Sequence, residues 1–261
     1  EFLMQILEGI HKYLPNIKHV TTYARADSIA RKSVSELREL KTAGIEHLYC
    51  GMETGSDLIL RKINKGFDTA TIIISGTKAK EAGMVLSEFT LFGIGGKELA
   101  EENAVETAKV LNVIKPDFVR VHATGIKLSS EMWNYVKNKE LTLQSEEEIV
   151  SEQKIMLELL ADDMDCIYMN EHIVNLLLEV RGNIRTDKQN MLETINTYLQ
   201  LPKQEQELFN LGRRLNIKAI LADLNNRAKR KQTEEGLRKI KTQNPDLDLA
   251  FVCNYVRQTQ I

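Results

Sequence analysis

The segment Gly51-Met52-Glu53-Thr54-Gly55-Ser56-Asp57 places one acid between two glycines, directly after a short apolar run. A carboxylate there can accept hydrogen bonds from hydroxyls or an ammonium, and glycines let a backbone approach a ligand with no Cβ in the way. The plain alternative is an acid that caps the following helix, since anions favour a helix N-terminus. Arg25-Ala26-Asp27 offers a guanidinium able to grip a carboxylate through two parallel hydrogen bonds, or a surface ion pair worth little. Gly93-Ile94-Gly95-Gly96 follows another apolar run and is either an ordinary turn or a second point of close approach. It is no dinucleotide fingerprint, because Glu98 stands where the last glycine belongs. His122 closes a further apolar run, where a satisfied core imidazole is the plain reading.

These residues need elements to hold them. The run 45–50 lacks helical spacing and reads as a buried strand leading into a turn at 51–57, with a helix from Leu58 closed by Gly66. Residues 19–23 are β-branched and aromatic, hence a strand. Ser33 with Glu36 forms a capping box for a helix that Gly44 ends. Asp68 or Thr69 opens a helix to about Ala82, 84–92 is a strand, 99–114 a helix, and 118–122 a fourth strand. Strands alternating with helices over short links predict parallel βαβ units. Beyond residue 128 the chain turns helical: 146–160, a helix capped by Thr186-Asp187 and ended by Leu201-Pro202, a face of Leu208, Leu211, Leu215, Ile220 and Leu224, and a last helix beginning at Asn244-Pro245. Residues 167–169 could form a short strand, and 173–180 is apolar but ambiguous.

At 261 residues, 43% hydrophobic and 28% charged, the chain has an ordinary globular composition and room for a sizeable core. A net charge of −2 gives no overall pull toward nucleic acid or membrane, and no apolar run is long enough to span a bilayer. Cys50, Cys166 and Cys253 are far apart and odd in number, which excludes a disulfide framework and a short-spaced metal site, and fits reduced thiols in a cytoplasmic protein. The chain opens at Glu1-Phe2 with no initiator methionine, so further sequence upstream is expected. Residues 213–241 carry ten Lys/Arg against Asp223, Glu234 and Glu235. That stretch is a solvated helical face or an electrostatic footprint for RNA, with few aromatics to stack on bases.

The whole block Ile45 to Gly66 resembles the G-x-E-[ST]-G-S-D…L…I-x-K-G signature of radical S-adenosylmethionine (SAM) enzymes, and within them is most similar to the oxygen-independent coproporphyrinogen oxidase-like branch. The likeness covers roughly residues 18–200. It includes Tyr23 to Asp27, Phe92 to Gly96 and the segment Asn170 to Leu192, in which His172 and Asn175 resemble an N-H-x-x-N element with Glu171 at its first position, although related branches carry an acid at position 23 and a proline at position 26. The resemblance implies an α/β fold: a partial radical SAM (β/α) barrel of about four parallel strands over 1–128, a mainly helical extension over 129–202, and a helical basic appendage over 203–261.

It further implies SAM as cofactor, held by Arg25, Gly51, Glu53, Thr54, Gly55, Gly93, Gly95 and backbone near His122. In such enzymes a [4Fe-4S] cluster reduces SAM to yield a 5′-deoxyadenosyl radical, which attacks a substrate that nothing in this sequence specifies. The C-x3-C-x2-C cluster ligands occur nowhere in the chain, so the cluster is expected in a parent protein and this portion alone is expected to be inactive and iron-free. The open side of the barrel should be covered by the C-terminal helices or by a second copy in a homodimer. The rival reading is a non-catalytic adaptor that binds a partner or RNA through a degenerate barrel and its basic C-terminal helices.

Overall fold

The computed structural model describes residues 2–260. Helix α1 (Phe2–Tyr13) precedes strand β1 (Val20–Ala24), α2 (Ala26–Ala30) and α3 (Val34–Thr42). Strand β2 (Ile45–Glu53) leads to α4 (Asp57–Lys62) and α5 (Thr69–Glu81), β3 (Val85–Phe92) to α6 (Ala100–Ile114), and β4 (Phe118–Ala123) to α7 (Met132–Lys137) and α8 (Glu146–Leu159). Then come β5 (Ile167–Met169), β6 (Gly182–Asn183), α9 (Ile184–Leu199), α10 (Lys203–Arg214), α11 (Arg227–Gln243) and α12 (Leu249–Thr259). The strands lie in sequence order in one sheet, β1 to β5 parallel and β6 antiparallel to β5. This is an α/β fold, a partial β/α barrel with an α-helical C-terminal extension.

The expected starts and stops hold where the local chemistry is strong. Ser33 and Glu36 form their capping box, Asp68 caps α5 through the Thr71 amide, and Gly44 and Gly83 take positive φ after α3 and α5. Alternation along each strand then sorts side chains into two layers. Leu48, Cys50 and Met52 of β2, Leu86 and Phe92 of β3, and Val119, Val121 and Ala123 of β4 face the helices. There they join one core with Ile72, Ala104, Leu111 and Met156. The intervening residues, among them Tyr49, Phe89, Arg120 and His122, face the concave side and stay partly exposed.

Several boundaries differ from expectation. Strand β2 runs through Glu53 instead of ending at Cys50, with a register shift against β3 between Gly51 and Glu53. Residues 167–169 do form the short strand that sequence allowed, a fifth parallel one beyond the four counted up to β4. Asn183, not Thr186-Asp187, caps α9, and Asp187 instead accepts the Asn183 amide. Residues 173–180 are neither helix nor strand, yet Val174, Leu176, Leu177 and Val180 are buried. The face drawn from Leu208 to Leu224 is interrupted, because α10 ends at Arg214 and Asn216 turns left-handed. The last helix starts at Leu249 with Asp248 as its cap, leaving Pro245 in the preceding turn. The C-terminal helices pack beside the end of β4 instead of covering β1, where Tyr23 is 79% exposed.

Candidate functional site

At the C-terminal ends of β1 to β4 lies a cavity of about 470 Å³. In a β/α barrel that end carries the chemistry, and the volume falls in the range of small-molecule sites. Two larger clefts, of about 920 Å³ beside α2 and α5 and about 630 Å³ beside α8 and α12, lie among helices and gather none of the strand-end residues.

Glu53 is the last residue of β2 and has φ +64°, the left-handed region that a side chain disfavours, at a cost of about 1 kcal/mol or more. That turn brings its carboxylate back over Gly51: a Cβ built on Gly51 would collide with the Glu53 carboxylate. The glycine therefore leaves the room in which its neighbour two residues on places its carboxylate. Glu53 does not cap α4, since Ser56 does so through the Ile59 amide. Its carboxylate instead meets Lys65 Nζ at 2.7 Å, both groups being largely shielded from solvent.

The loop after α4 ties the rim together. Arg25 Nη2 donates to the Lys65 carbonyl at 3.1 Å, and Arg25 Nε donates to Asp27 at 3.1 Å. The charged ends of Arg25 and Lys65 lie 5.2 and 5.5 Å from the Phe67 ring centre, within cation–π range. Tyr23, Tyr49 and Phe89 form the aromatic floor, with Tyr23 and Tyr49 5.3 Å apart.

His122 closes the far wall, 5.4 Å from Phe89 and 4.1 Å from His172 between ring centres. Burial, then the neighbouring His172 and Arg120, pulls its pKa down to about 4, so it is a neutral imidazole at pH 7. Asn175 belongs to a structural network: its side chain accepts the Ala123 amide at 2.7 Å and donates to the Val121 carbonyl at 2.6 Å, prolonging the edge of β4.

Of the residues singled out from sequence, Arg25, Gly51, Glu53 and His122 thus share one cavity. Thr54, Gly55, Gly93 and Gly95 lie behind it. Thr54 is fully buried and its Oγ1 accepts the Ser56 amide. Gly55 packs directly on α6, where a Cβ would meet the backbone of Glu106 and Thr107, and its amide donates to Thr107 Oγ1 at 2.8 Å. A Cβ on Gly95 would press on Ile59 and Leu99. The Gly93 amide donates to Glu152 at 3.0 Å; burial raises that carboxyl to about 7 against the opposing hydrogen bonds of Asn103, Gln144 and Gly93.

Three functional candidates escaped the sequence reading. Lys65 is the lysine of the I-x-K-G end of the signature, to which sequence attaches no role, Arg120 lies within an apolar strand, and Glu88 lies within another. Glu88 is buried with neither carboxyl oxygen hydrogen-bonded among the described residues. Burial, reinforced by Glu53, lifts its pKa well above the usual range despite Lys65. An acid amid apolar strand residues was the available signal.

Among the described residues neither the cysteines nor any other cluster suits a metal. Cys50, Cys166 and Cys253 are buried and apart, and burial raises each thiol pKa, that of Cys166 to about 12, which disfavours the thiolate a metal needs. Among the described residues no group of three or more His, Cys, Asp or Glu could hold an ion, and no helix is long and apolar enough to cross a membrane. Much of the positive charge in 213–241 is internal. Arg213, Arg214 and Lys218 are buried, while Lys229, Arg230 and Lys241 pair with Asp223, Glu205 and Glu207.

Solved structures similar to this chain include Elp3 from the archaeon Methanocaldococcus infernus with its N-terminal residues 1–46 deleted, at TM-score 0.49 and 16% identity over 62% of this chain and 41% of that one. Methylornithine synthase (PylB) is similar at TM-score 0.40 and 17% identity, over 60% of this chain and 43% of that one. The chain thus spans less than half the length of either structure. No protein-family model matches the sequence, and no curated protein matches it.

Proposed function

We propose that this chain is the SAM-binding portion of a radical SAM enzyme whose cluster is held by residues outside this sequence. The observation that carries the reading is Glu53: the acid of the G-x-E-[ST]-G-S-D segment stands in a strained left-handed conformation on the rim of an aromatic-floored cavity at the strand ends. Strain held in place by surrounding structure marks functional positions. The cavity suits a nucleoside bearing an amino acid. Glu53 can accept hydrogen bonds from hydroxyls or an ammonium, Arg25 can pair with a carboxylate, and the exposed ring of Tyr23 offers a face for a base.

The cysteines here do not fit a [4Fe-4S] cluster, whose ligands are typically thiolates, so this chain contributes binding and orientation only. Bound SAM would supply the reactive group for radical chemistry in the parent enzyme, with the protein responsible for positioning it and excluding water.

Calorimetric titration of the chain with SAM tests the reading. Binding in the micromolar to submillimolar range is expected, weakened about tenfold or more by Glu53→Gln. A wild-type chain that ignores SAM at about 10 mM, or a Glu53→Gln chain that binds it equally well, would overturn the assignment.

A further inference from the structure

Among the described residues, Arg120 is a cation on the concave face without a counter-charge. Arg120 lies in register with Phe89 on one side and Met169 on the other, one step below His122 along β4. Its guanidinium carbon lies 5.0 Å from the Tyr49 ring centre and 5.9 Å from those of Phe89 and Phe118. Three aromatic faces fix the group in place and leave its N–H edge largely unused. Among the described residues only Nε has a protein partner, Ser87 Oγ at 3.5 Å, and that hydroxyl is already engaged with His47 Nε2 at 2.8 Å.

No carboxylate forms an ion pair with Arg120 among the described residues. Glu53 is taken by Lys65, and Glu88 is buried on the helix-facing side of β3 with Leu86 and Phe92. The neighbours feel the unbalanced charge. After burial, Arg120 is the next influence depressing the His47 pKa, and it adds to burial and His172 in depressing that of His122.

A guanidinium presents five donors in a planar fork that matches an oxyanion, and partial removal from water strengthens such a contact. Tyr49 and Phe89, which hold Arg120, are also the floor of the strand-end cavity. We propose that Arg120 anchors the carboxylate or phosphate of a small-molecule ligand whose apolar or aromatic body lies across Tyr49 and Phe89. As a statement about the substrate of a SAM-dependent reaction this rests on the reading above. As a statement about anion binding it rests on Arg120 and its rings alone.

The experiment separates the two. The ¹⁵N-labelled chain is titrated with 1-naphthoate, with uncharged 1-naphthamide and with inorganic phosphate while the Arg120 Nε–Hε resonance is followed, and SAM binding is measured in parallel. Naphthoate should move the resonance and bind at least about tenfold more tightly than either naphthamide or phosphate. Arg120→Gln should weaken naphthoate by about tenfold or more, and Arg120→Lys, which keeps the charge, by less. SAM affinity should change by no more than about twofold in both variants.

Undiminished naphthoate binding in Arg120→Gln would overturn the proposal, as would naphthamide binding equal to naphthoate. Phosphate binding as tightly as naphthoate would reduce the site to a bare anion contact and overturn the role of the rings. If Arg120→Gln fails to fold, Arg120→Lys binding naphthamide and naphthoate equally would serve the same purpose. Arg120-dependent naphthoate binding in a chain that ignores SAM would sink the SAM reading and leave the anion site standing.

Discussion

Gly51 and Glu53 depend on one another. The glycine lacks the Cβ that would strike the Glu53 carboxylate, and the carboxylate reaches Lys65 only by folding back over it. Gly51→Ala therefore strikes the mobile end of a side chain, which can move aside, and should cost no more than about 1 kcal/mol in a urea titration. The same change should lower SAM affinity about tenfold by calorimetry, because Glu53 is displaced. His122 gives a second residue-scale expectation. Its ring should stay neutral in a ¹H–¹⁵N titration until the pH approaches about 4. The folded pKa lies below the ordinary 6.5, so the unfolded chain binds the proton first. Stability is untouched above about 6.5 and falls as pH drops from there toward 4.

At the scale of elements, α6 is seated on the turn after β2 by close backbone contact at Gly55 and by the Thr107 hydroxyl. A methyl group at Gly55 would meet the peptide atoms of Glu106 and Thr107, which cannot yield as a side chain can. Gly55→Ala is accordingly expected to destabilise by about 3 kcal/mol or more, read as a lowered urea midpoint with unchanged slope. Sequence made the elements legible where local chemistry is decisive: the Ser33–Glu36 box, the Asp68 cap, and the strands at 84–92 and 118–122. It failed where tertiary pairing decides. Strand β2 continues through Gly51 to Glu53 because β3 extends beside it. The glycine-flanked acid and the strand-end Arg25 were legible as site residues. The roles of Lys65, which stands in the signature, and of Arg120 were not, because they arise from contacts 12 residues away for the first and on neighbouring strands for the second.

Across the whole molecule, one buried charge cluster joins helices far apart in sequence. Glu146 at the start of α8 accepts from Arg214 of α10 at 2.8 and 2.9 Å and lies 3.8 Å from Arg257 of α12, all three side chains being buried. Helix α12 also receives the amides of Ile126 and Leu128 on Asn254 and Gln258, which pins the chain leaving β4. The C-terminal helices are thus tied to the end of the barrel that carries the cavity. Glu146→Ala would strand two buried guanidiniums and should cost about 3–5 kcal/mol. Burial pushes the Glu146 carboxyl up, but Arg214 and Arg257 overcome it and hold the pKa at about 2. A depressed folded pKa contributes stability that is complete above the ordinary 4.5 and is lost as pH falls toward 2. An acid melt of wild type against Glu146→Gln should show that loss only in wild type. Parallel curves would refute the link.

Lys65 serves two masters, neutralising Glu53 through its ammonium and holding Arg25 through its carbonyl. Any visitor that recruits Glu53 must first make this lysine let go, and the release disturbs Arg25 as well. Capture should then proceed at a pace set by that unlatching: in stopped-flow mixing with SAM the observed rate should level off as ligand is raised, and Lys65→Met should abolish the plateau.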